Sequence, residues 1–551
     1  LGDCLLFGYN VHRKMSQTQI PDVFSLHRFS KEGEELSLRH VPQDTGENFL
    51  SQPQFMEDFD KLYFSFKDAF LRQLRRTEGR LLAIFQTGSK LEDIRVLRWA
   101  VDAHDNVTYI DNAGEKDNVQ ARSHDFAWVA TRREDMITGR HPHIAIKNKV
   151  FVETVGGDLT IKVEDNTEDG VGVYSEPVED QNQALGDAEI FYAEVGALIL
   201  LKIRPYREDN WRYLVFNTLT KTVARIDSIG QSCVALPEDH GIIFPGGYVL
   251  ESGEVKTFEH DTRDMRIAET RRSPNGEDVL FAFTRPQDGQ YLLLSYNLIR
   301  KEVLNPILCH GYSIFDDGTM IIFRSTGDQQ TRHHPMQVWG TPFLSDEYAA
   351  QIPSDGSLLS KIGNAELVRG ISDGLTIRKM INNQEPTTEI YTSIISAAER
   401  MIDAYYWIGE SEAGDMRAPL REVVKTATLI IEEFEKVRAM RQNAREALRE
   451  AEREQSRLFG DIRYANWREI GRFVDGLDGL RSQRGRLITL REMKYMQVER
   501  IDELEQEVID HYDKLSKATV SFLLGEGSLS TYRAKIDAVI KGIEEIQTTV
   551  E

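Results

Sequence analysis

The sequence has few cysteines and no pattern of metal ligands. Its 551 residues include three cysteines, Cys4, Cys233 and Cys309, with no CxxC pair and no histidine cluster to complete a zinc site. It contains no run of about 20 apolar residues, the length that crosses a bilayer. Its N-terminus lacks the charged and apolar regions of a signal peptide. These absences predict a cytoplasmic protein without disulfide bonds, bound metal or membrane contact.

The sequence also lacks the loop with which P-loop enzymes hold nucleotide phosphates. No GxxxxGK[ST] pattern is present, so this chain by itself is not expected to bind ATP and Mg²⁺ or to hydrolyse ATP. The segment 429–433 (Leu-Ile-Ile-Glu-Glu) is similar to a Walker B strand, but the apolar residues around it repeat at helical spacing. We therefore predict an amphipathic helix there and no catalytic site.

Length and charge limit the class of protein further. A chain of 551 residues exceeds the roughly 250 to 300 residues at which single hydrophobic cores stop growing, so we expect at least two domains. The net charge is −22, which argues against a surface that binds nucleic acid throughout, because such affinity comes mainly from Lys and Arg. A local basic patch stays compatible with this charge.

Short apolar strands separated by Gly, Asn and Asp turns fill the chain from Arg80 to Phe343. The strands form hairpins that begin about 50 residues apart on average, within the range of four-stranded propeller blades. We predict an all-β, β-propeller-like repeat domain of about six or seven blades, with an array of two-sheet sandwiches as the alternative. The clearest hairpins are 149–152 with 159–163, 213–216 with 223–226, 233–236 with 241–244, and 313–315 with 320–323.

Helical spacing predicts all-α elements on both sides of this region. Residues 55–77 indicate one amphipathic helix. Apolar residues repeat at helical spacing over 416–458 and 486–523, and a final helix is predicted over 528–547. The two long helices are predicted to pack as an antiparallel coiled-coil hairpin, with a small glycine-broken cap at its tip. The predicted domains are an N-terminal segment (1–79), the β-propeller-like domain (80–343), a connector with short helices (344–415) and the helical hairpin (416–551).

Arginines line one face of the first long helix. They lie three or four residues apart, so their like charges need nearby Glu, an acidic partner or phosphates. Arg438, Arg441 and Arg445 are predicted to face glutamates at 499–507 of the returning helix. The tip keeps an excess of arginine and is the predicted contact for nucleic acid or a partner, with a solvated face of weak ion pairs as the alternative. The candidate residues are Arg449, Arg453, Arg457, Arg463, Arg468 and Arg472.

Histidines and one acidic turn are further candidates for chemistry. His141 with His143, and His333 with His334, form close pairs, but the sequence singles out no third or fourth ligand. They are therefore predicted to be loop histidines. The turn 238–240 (Glu-Asp-His) has residue types that general acid–base chemistry uses, yet no spacing places a nucleophile beside it. A hydrolase site at this turn is kept as an alternative hypothesis.

Several segments resemble a known family. They are 2–11 (GDCLLFGYNV), 22–26 (DVFSL), 225–230 (RIDSIG) and, above all, 236–247 (LPEDHGIIFPGG). Together they resemble the N-terminal region of large bacterial AAA+ proteins described as ATPases involved in DNA repair. In that family this region has no assigned function, and the ATPase module lies further along a longer polypeptide. The resemblance implies a partner role within an ATPase machine and transfers no catalytic residue to this chain.

The leading hypothesis is a non-catalytic recognition and coupling region. In it the propeller binds a protein partner on one face, the hairpin tip reaches a neighbouring subunit or DNA, and a downstream AAA+ module of the same polypeptide uses ATP and Mg²⁺. The full-length protein is expected to be a homo-oligomer. Because the chain opens within an apparent strand, it is expected to be cut from something longer. A structural scaffold that self-assembles through its helices is the alternative.

Overall fold

The computed structural model describes residues 1–9, 18–32, 35–77, 79–90, 92–102, 104–119, 121–324, 335–354, 356–382, 387–525 and 527–545. The chain divides into two compact units, Leu1–Leu375 and Thr376–Glu551, which we call the sheet unit and the helical unit. Within the described residues, the sheet unit contains seven antiparallel sheets of three to five strands each. The helical unit is built from helices over its described part.

The first two sheets enclose a helix that the sequence predicts. Sheet 1 contains β1 (Cys4–Gly8), β2 (Phe24–Glu32) and β3 (Glu35–Val41), and sheet 2 contains β4 (Phe70–Thr77), β5 (Arg80–Gln86), β6 (Ile94–Val101) and β7 (Val107–Asp111). Helices α1 (Ile20–Val23) and α2 (Pro53–Ser65) precede β2 and β4. Helix α2 buries Phe55 and Phe59, one turn apart, against Phe24 of β2 and Trp99 of β6.

Ten strands form the next two sheets. They are β8 (Val129–Ala130), β9 (Met136–Ile137), β10 (His143–Ile146), β11 (Val150–Glu153), β12 (Asp158–Lys162), β13 (Tyr174–Pro177), β14 (Glu189–Val195), β15 (Leu198–Arg204), β16 (Arg212–Asn217) and β17 (Val223–Arg225). Sheet 3 has the order β13-β12-β11-β10-β9, and sheet 4 has the order β17-β16-β15-β14-β8.

Three further sheets complete the sheet unit. Sheet 5 contains β18 (Val234–Ala235), β19 (Gly241–Phe244), β20 (Gly247–Leu250) and β21 (Val255–Thr257). Sheet 6 contains β22 (Arg266–Arg272), β23 (Asp278–Arg285), β24 (Gln290–Asn297), β25 (Glu302–Val303) and β26 (Ile307–Cys309). Sheet 7 contains β27 (Gly311–Ile314), β28 (Thr319–Phe323) and β29 (Met336–Gly340). The four clearest predicted hairpins are confirmed as β11–β12, β16–β17, β18–β19 and β27–β28.

Apolar cores join sheet 1 to sheet 2 and join sheets 3 to 7 in chain order. The last sheet also contacts the first. Phe315, just after β27, stacks on Phe29 of β2 with 5.4 Å between ring centroids, and Phe323 of β28 lies 6.0 Å from Phe7 of β1. The two ends of this series of sheets therefore meet.

The remaining elements are helices. They are α3 (Asp346–Ala350), α4 (Leu358–Ile362), α5 (Asn364–Ile381), α6 (Thr388–Ala404), α7 (Arg417–Asp461), α8 (Ile470–Arg491), α9 (Val498–Leu524) and α10 (Ser530–Glu544). The first half of α7 packs beside α6, where Phe434 lies 6.0 Å from Tyr391. Its second half packs with α8 and α9 around Leu448, Leu480 and Leu504, and we call this assembly the terminal bundle. Among the described residues, no helix combines the length and apolar character needed to cross a bilayer.

The first helix is shorter than its spacing predicts. Helix α2 ends at Ser65, and the predicted continuation to 77 is instead strand β4. Phe70 and Leu74 fit helical spacing, but β4 pairs with the buried strand β5 and has an irregular register between Leu71 and Gln73. Pairing with a strand that is itself buried outweighs local periodicity. The predicted N-terminal segment 1–79 therefore contains four strands besides its helices.

The first long helix and the final helix are confirmed as α7 and α10, but the long helix predicted over 486–523 is wrong. Helices α8 and α9 occupy this part of the chain. Four glycines predicted to break helical structure in the cap before it, Gly471, Gly476, Gly479 and Gly485, lie inside α8. Glycine is favoured at 476 because the Cβ of any other residue would lie 3.0 Å from Leu515 and 3.0 Å from Trp467, which is too close. Glycine in this helix thus permits close packing, which offsets its poor helix propensity.

The helix that returns antiparallel to α7 is consequently α8. Glu450 pairs with Arg486, whereas Leu458, further along α7, contacts the earlier position Gly479. Helix α9 runs parallel to α7, because Glu452 pairs with Arg500 and Phe459 stacks on His511. The predicted antiparallel pairing of α7 with 486–523 is therefore replaced by a bundle of three helices.

Candidate nucleic-acid interface

The six predicted contact arginines lie around one end of the terminal bundle. Positions 448, 451 and 455 of α7 are buried in the bundle, so Arg449, Arg453 and Arg457 lie on the solvent side of the same helix. Arg463 and Arg468 lie in the turn that joins α7 to α8, and Arg472 lies in the first turn of α8. All six side chains are exposed.

These arginines have few charged partners. Arg457 lies 3.9 Å from Glu454 and 4.0 Å from Asp461, both at the long limit of an ion pair. Over the described ranges, the other five make no ion pair. Arg453 Nε donates a hydrogen bond to the Arg449 carbonyl over 3.2 Å, and Arg463 Nε donates to the Gly460 carbonyl over 3.3 Å. Their charge is therefore largely uncompensated by carboxylates.

Other arginines of the bundle are paired across helices. Arg484 of α8 lies 3.0 Å from Glu505 of α9, and Arg500 of α9 lies 2.8 Å from Glu452 of α7. Arg486 and Arg491 likewise lie 3.0 Å from Glu450 and Asp502. The bundle thus contains one set of arginines that joins its helices and another that faces solvent unpaired among the described residues. Sequence spacing alone cannot separate these sets, because pairing depends on the register between helices.

The predicted pairing of Arg438, Arg441 and Arg445 with glutamates at 499–507 is wrong. The Arg441 guanidinium lies over the ring of Tyr495, 5.2 Å from its centroid. Glu503 pairs with Arg500 on its own helix at 2.8 Å. The reason is the turn between α8 and α9, which brings residue 495 level with 441 and places the glutamates nearer the far end of α7.

The histidine pair in sheet 3 is structural. His143 was predicted to be a loop histidine, but it is fully buried in β10, with Nε2 2.9 Å from Asp165. His141 Nδ1 lies 2.9 Å from Glu153, whose other oxygen lies 2.5 Å from the Lys162 ammonium. His333 and His334 fall outside the described residues. Within the ranges that the structure covers, no group of three or more His, Cys, Asp or Glu can hold a metal ion.

The turn 238–240 contacts a second sheet and a helix. His240 is 6% exposed, and its Nδ1 lies 2.9 Å from the hydroxyl of Tyr296 on β24. Burial lowers the pKa of His240 to about 3, so its ring is neutral at pH 7. Glu238 lies 3.1 Å from Arg369 of α5. These contacts join sheet 5 to sheet 6 and to α5.

The sheet unit contains a cavity of about 1750 Å³ that sequence reasoning did not identify. Strands β1, β4, β22 and β27, the first strands of sheets 1, 2, 6 and 7, line it. Inside it the Tyr312 hydroxyl donates to Glu269 over 2.9 Å, and Gln73 donates to the Tyr291 hydroxyl over 3.1 Å. Burial raises the pKa of Tyr312 well above its usual value. These residues lie far apart in the chain, so no local pattern could have grouped them.

Comparisons with solved structures give weak similarities. A post-proline cleaving enzyme from Rickettsia typhi is 10% identical, with 57% of this chain and 49% of that chain covered and a TM-score of 0.17. An oligogalacturonate lyase in complex with manganese is 10% identical, with 55% and 78% covered and a TM-score of 0.15. The S. cerevisiae core factor is 8% identical, with 70% and 66% covered and a TM-score of 0.17. At these TM-scores the similarities carry no argument about this chain.

Comparison of the sequence with protein families is decisive by contrast. No curated protein matches the sequence. A family model matches residues 1–406, which include all seven sheets and helices α1 to α6. This match covers well over half of the 551 residues, and it agrees with the resemblance of the segments at 2–11 and 236–247. The chain belongs to the family described as ATPase involved in DNA repair.

Proposed function

We propose that the sheet unit is a seven-bladed β-propeller that offers a rigid platform to a protein partner. Two observations support this arrangement. Sheets 3 to 7 pack in chain order, sheet 1 packs on sheet 2, and the last sheet of the chain contacts the first through Phe315 and Phe29. A cavity is bordered by the first strands of four sheets, as expected where blades surround a central channel. Loops at the ends of such blades are common sites of partner binding.

We propose further that the end of the terminal bundle contacts DNA phosphates, so that the chain is the non-catalytic recognition and coupling region of a DNA-linked ATPase. The observation that carries this proposal is the set of five exposed arginines, around the turn between α7 and α8, that form no ion pair with any described residue. Arginine binds phosphate through charge-assisted, often bidentate hydrogen bonds. A guanidinium that no carboxylate holds is available for this contact without breaking an existing pair.

The coupling role rests on the family and on the length of α7. The sequence contains no P-loop, so a downstream AAA+ module of a longer polypeptide would bind ATP and Mg²⁺ and perform the hydrolysis. Helix α7 has 45 residues, which corresponds to a rod about 68 Å long. A rod of this length carries the arginines at one end and α6 at the other. It would transmit the position of bound DNA to the rest of the protein.

The test is binding of fluorescent single- and double-stranded DNA to the 551-residue chain across a salt series. We expect affinity to fall with salt, with a slope in log–log form of about −0.9 per phosphate contact on duplex DNA. The triple variant Arg449→Gln, Arg453→Gln and Arg457→Gln should bind at least about tenfold more weakly. Its salt slope should be shallower by about 2 to 3, because a protein that neutralises fewer phosphates displaces fewer counterions from the DNA.

A matched control removes the same charge from the other half of α7. The triple variant Arg421→Gln, Lys425→Gln and Lys436→Gln also changes three exposed cations of this helix, and it should keep the wild-type affinity and slope. If both variants bound DNA equally weakly, the affinity would come from the overall positive charge of α7, and the proposed site would be overturned. Absence of binding by the wild-type chain would overturn DNA contact altogether and direct the search to a protein partner of the sheet unit.

A further inference from the structure

Helix α10 exposes an apolar stripe that nothing in the described chain covers. Ile536, Val539 and Ile543 are 58%, 62% and 61% exposed, and the helix has no buried residue. With Leu529 and Tyr532 they form a series at alternating spacings of three and four. This spacing is typical of a helix that packs along another helix. A continuous apolar stripe of this kind indicates a binding surface.

Helix α7 carries a surface that fits this stripe. A shallow apolar groove of about 350 Å³ lies on its first half, lined by Leu429, Ile430, Phe434, Val437 and neighbouring atoms of Thr426 and Glu433. Leu429 is 53% exposed. Val423, Ile430, Val437 and Met440 lie on one face of this helix at spacings of seven and three, with Thr426 and Glu433 at the intermediate turns. The stripe and the groove thus share the period that two packed helices need.

The two surfaces also carry opposite charge. Helix α10 includes three basic and two acidic side chains, the second acidic one being its last residue Glu544, whereas residues 429–437 of α7 include three acidic side chains and one basic side chain. Lys541 also lies 4.0 Å from Glu545, at the limit of an ion pair. An ion pair beside the groove, Lys436 with Glu433, has both side chains exposed and can exchange partners at little cost. The opposing charges are Arg533, Lys535 and Lys541 on α10 and Glu432, Glu433 and Glu435 on α7.

The stripe cannot reach the groove of its own chain. Phe459 of α7 stacks on His511 of α9, and the two helices run parallel, so Leu524 lies about 20 Å beyond this level and Val437 about 33 Å before it. The separation along the bundle is therefore about 50 Å. The linker 525–529 spans at most about 18 Å, and α10 adds about 22 Å. Even the far end of α10 falls short of the groove.

We propose that α10 binds the α7 groove of a second copy of this chain. If two helical units lie side by side in opposite directions, each α10 reaches the groove of the other, and the same contact forms twice. Such a reciprocal contact closes as a two-fold dimer and leaves no free binding surface for further copies. This inference does not depend on DNA binding, because the arginines at the bundle end take no part in it.

The test measures the mass of the 551-residue chain by light scattering over a range of concentrations. We expect a dimer that dissociates on dilution. The variant Ile536→Gln, Val539→Gln and Ile543→Gln should shift the chain to monomer, and so should Leu429→Gln with Ile430→Gln on α7. The control variant Ala534→Gln with Ala538→Gln changes exposed positions outside the stripe and should stay dimeric. Circular dichroism of each variant checks that its helices remain.

Cross-linking identifies the partner surface. A carbodiimide joins Lys to Glu directly, so an equal mixture of ¹⁵N-labelled and unlabelled chains should yield mixed-isotope peptides that link Lys535 or Lys541 to Glu432 or Glu435. A monomer at every concentration overturns the proposal. A dimer that the α10 variant dissolves and the α7 variant leaves intact also overturns it, because α10 would then bind another surface. If every cross-linked peptide pair carried a single isotope label, the contact would lie within one chain, and this result would also overturn the proposal.

Discussion

Both units carry exposed ion pairs, but among the described residues the pairs with both partners buried lie in the sheet unit. In the sheet unit, Lys162 and Glu153 are 1% and 3% exposed, and Arg212 and Glu208 are 9% and 7% exposed. In the helical unit, the interhelical arginines remain open to water, as Arg484 does at 52%. A buried ion pair must stay intact for the unit to remain folded, because a buried charge without its partner is costly. Charges that remain in water can exchange partners at little cost, and this is the property that the proposed phosphate contact of the terminal bundle requires.

Lys162 shows how a buried charge organises its surroundings. Its ammonium donates to the carbonyls of Asn166 and Asp169 over 3.2 and 2.7 Å, besides its contact with Glu153. The acidic loop after β12 therefore folds around an internal cation. In the terminal bundle, by contrast, no exposed pair closes a loop in this way within the residues described.

The largest effect is expected from breaking this buried pair. Lys162→Met removes the ammonium and leaves Glu153 buried without its charge partner. We expect the free energy of unfolding of the sheet unit to fall by about 3 to 5 kcal/mol. Urea unfolding followed by hydrogen exchange of peptides from β11 and β12 measures this change in the correct unit. The double variant Lys162→Met with Glu153→Leu removes both charges and should recover much of the loss; a loss that stays the same would assign the effect to packing.

Sequence reasoning succeeded where local chemistry decides the structure. The hairpins were found because Gly and Asp turns separate short apolar runs, as in β18 and β19, and α7 was found because its apolar period is long. It failed where distant contacts decide. Glycine at 476 is favoured by the close approach of Leu515 and Trp467, and Phe70 lies in a strand because β4 pairs with β5. The exposure of the candidate arginines could be predicted, but not which of their neighbours would be paired.

A second test uses pH, because a buried neutral histidine makes stability depend on protonation. Burial lowers the pKa of His240 from 6.5 to about 3. Between these two values the unfolded chain binds a proton that the folded chain does not, so stability should be complete above about pH 6.5 and fall as the pH drops. The expected loss between pH 7 and pH 5 is up to about 2 kcal/mol. Urea unfolding followed by hydrogen exchange in sheets 5 and 6 measures it.

The control for this pH effect keeps the contact with Tyr296. His240→Gln leaves a polar side chain near the Tyr296 hydroxyl but cannot titrate, so its stability should change less between pH 7 and pH 5 than that of the wild type. An identical pH dependence in both proteins would show that another group controls it.

The smallest effect is expected from breaking one exposed pair of the terminal bundle. Arg484→Gln removes the 3.0 Å contact with Glu505, and we expect the bundle to lose about 0.2 to 1 kcal/mol, because both charges can return to water. Hydrogen exchange of peptides from α8 and α9 measures this loss. Arg449→Gln, at a position that forms no ion pair within the described chain, should leave the same exchange rates unchanged and weaken DNA binding instead. A loss of several kcal/mol for Arg484→Gln would contradict the contrast between the units, since it would mean that a water-exposed pair holds the bundle together as Lys162 holds sheet 3.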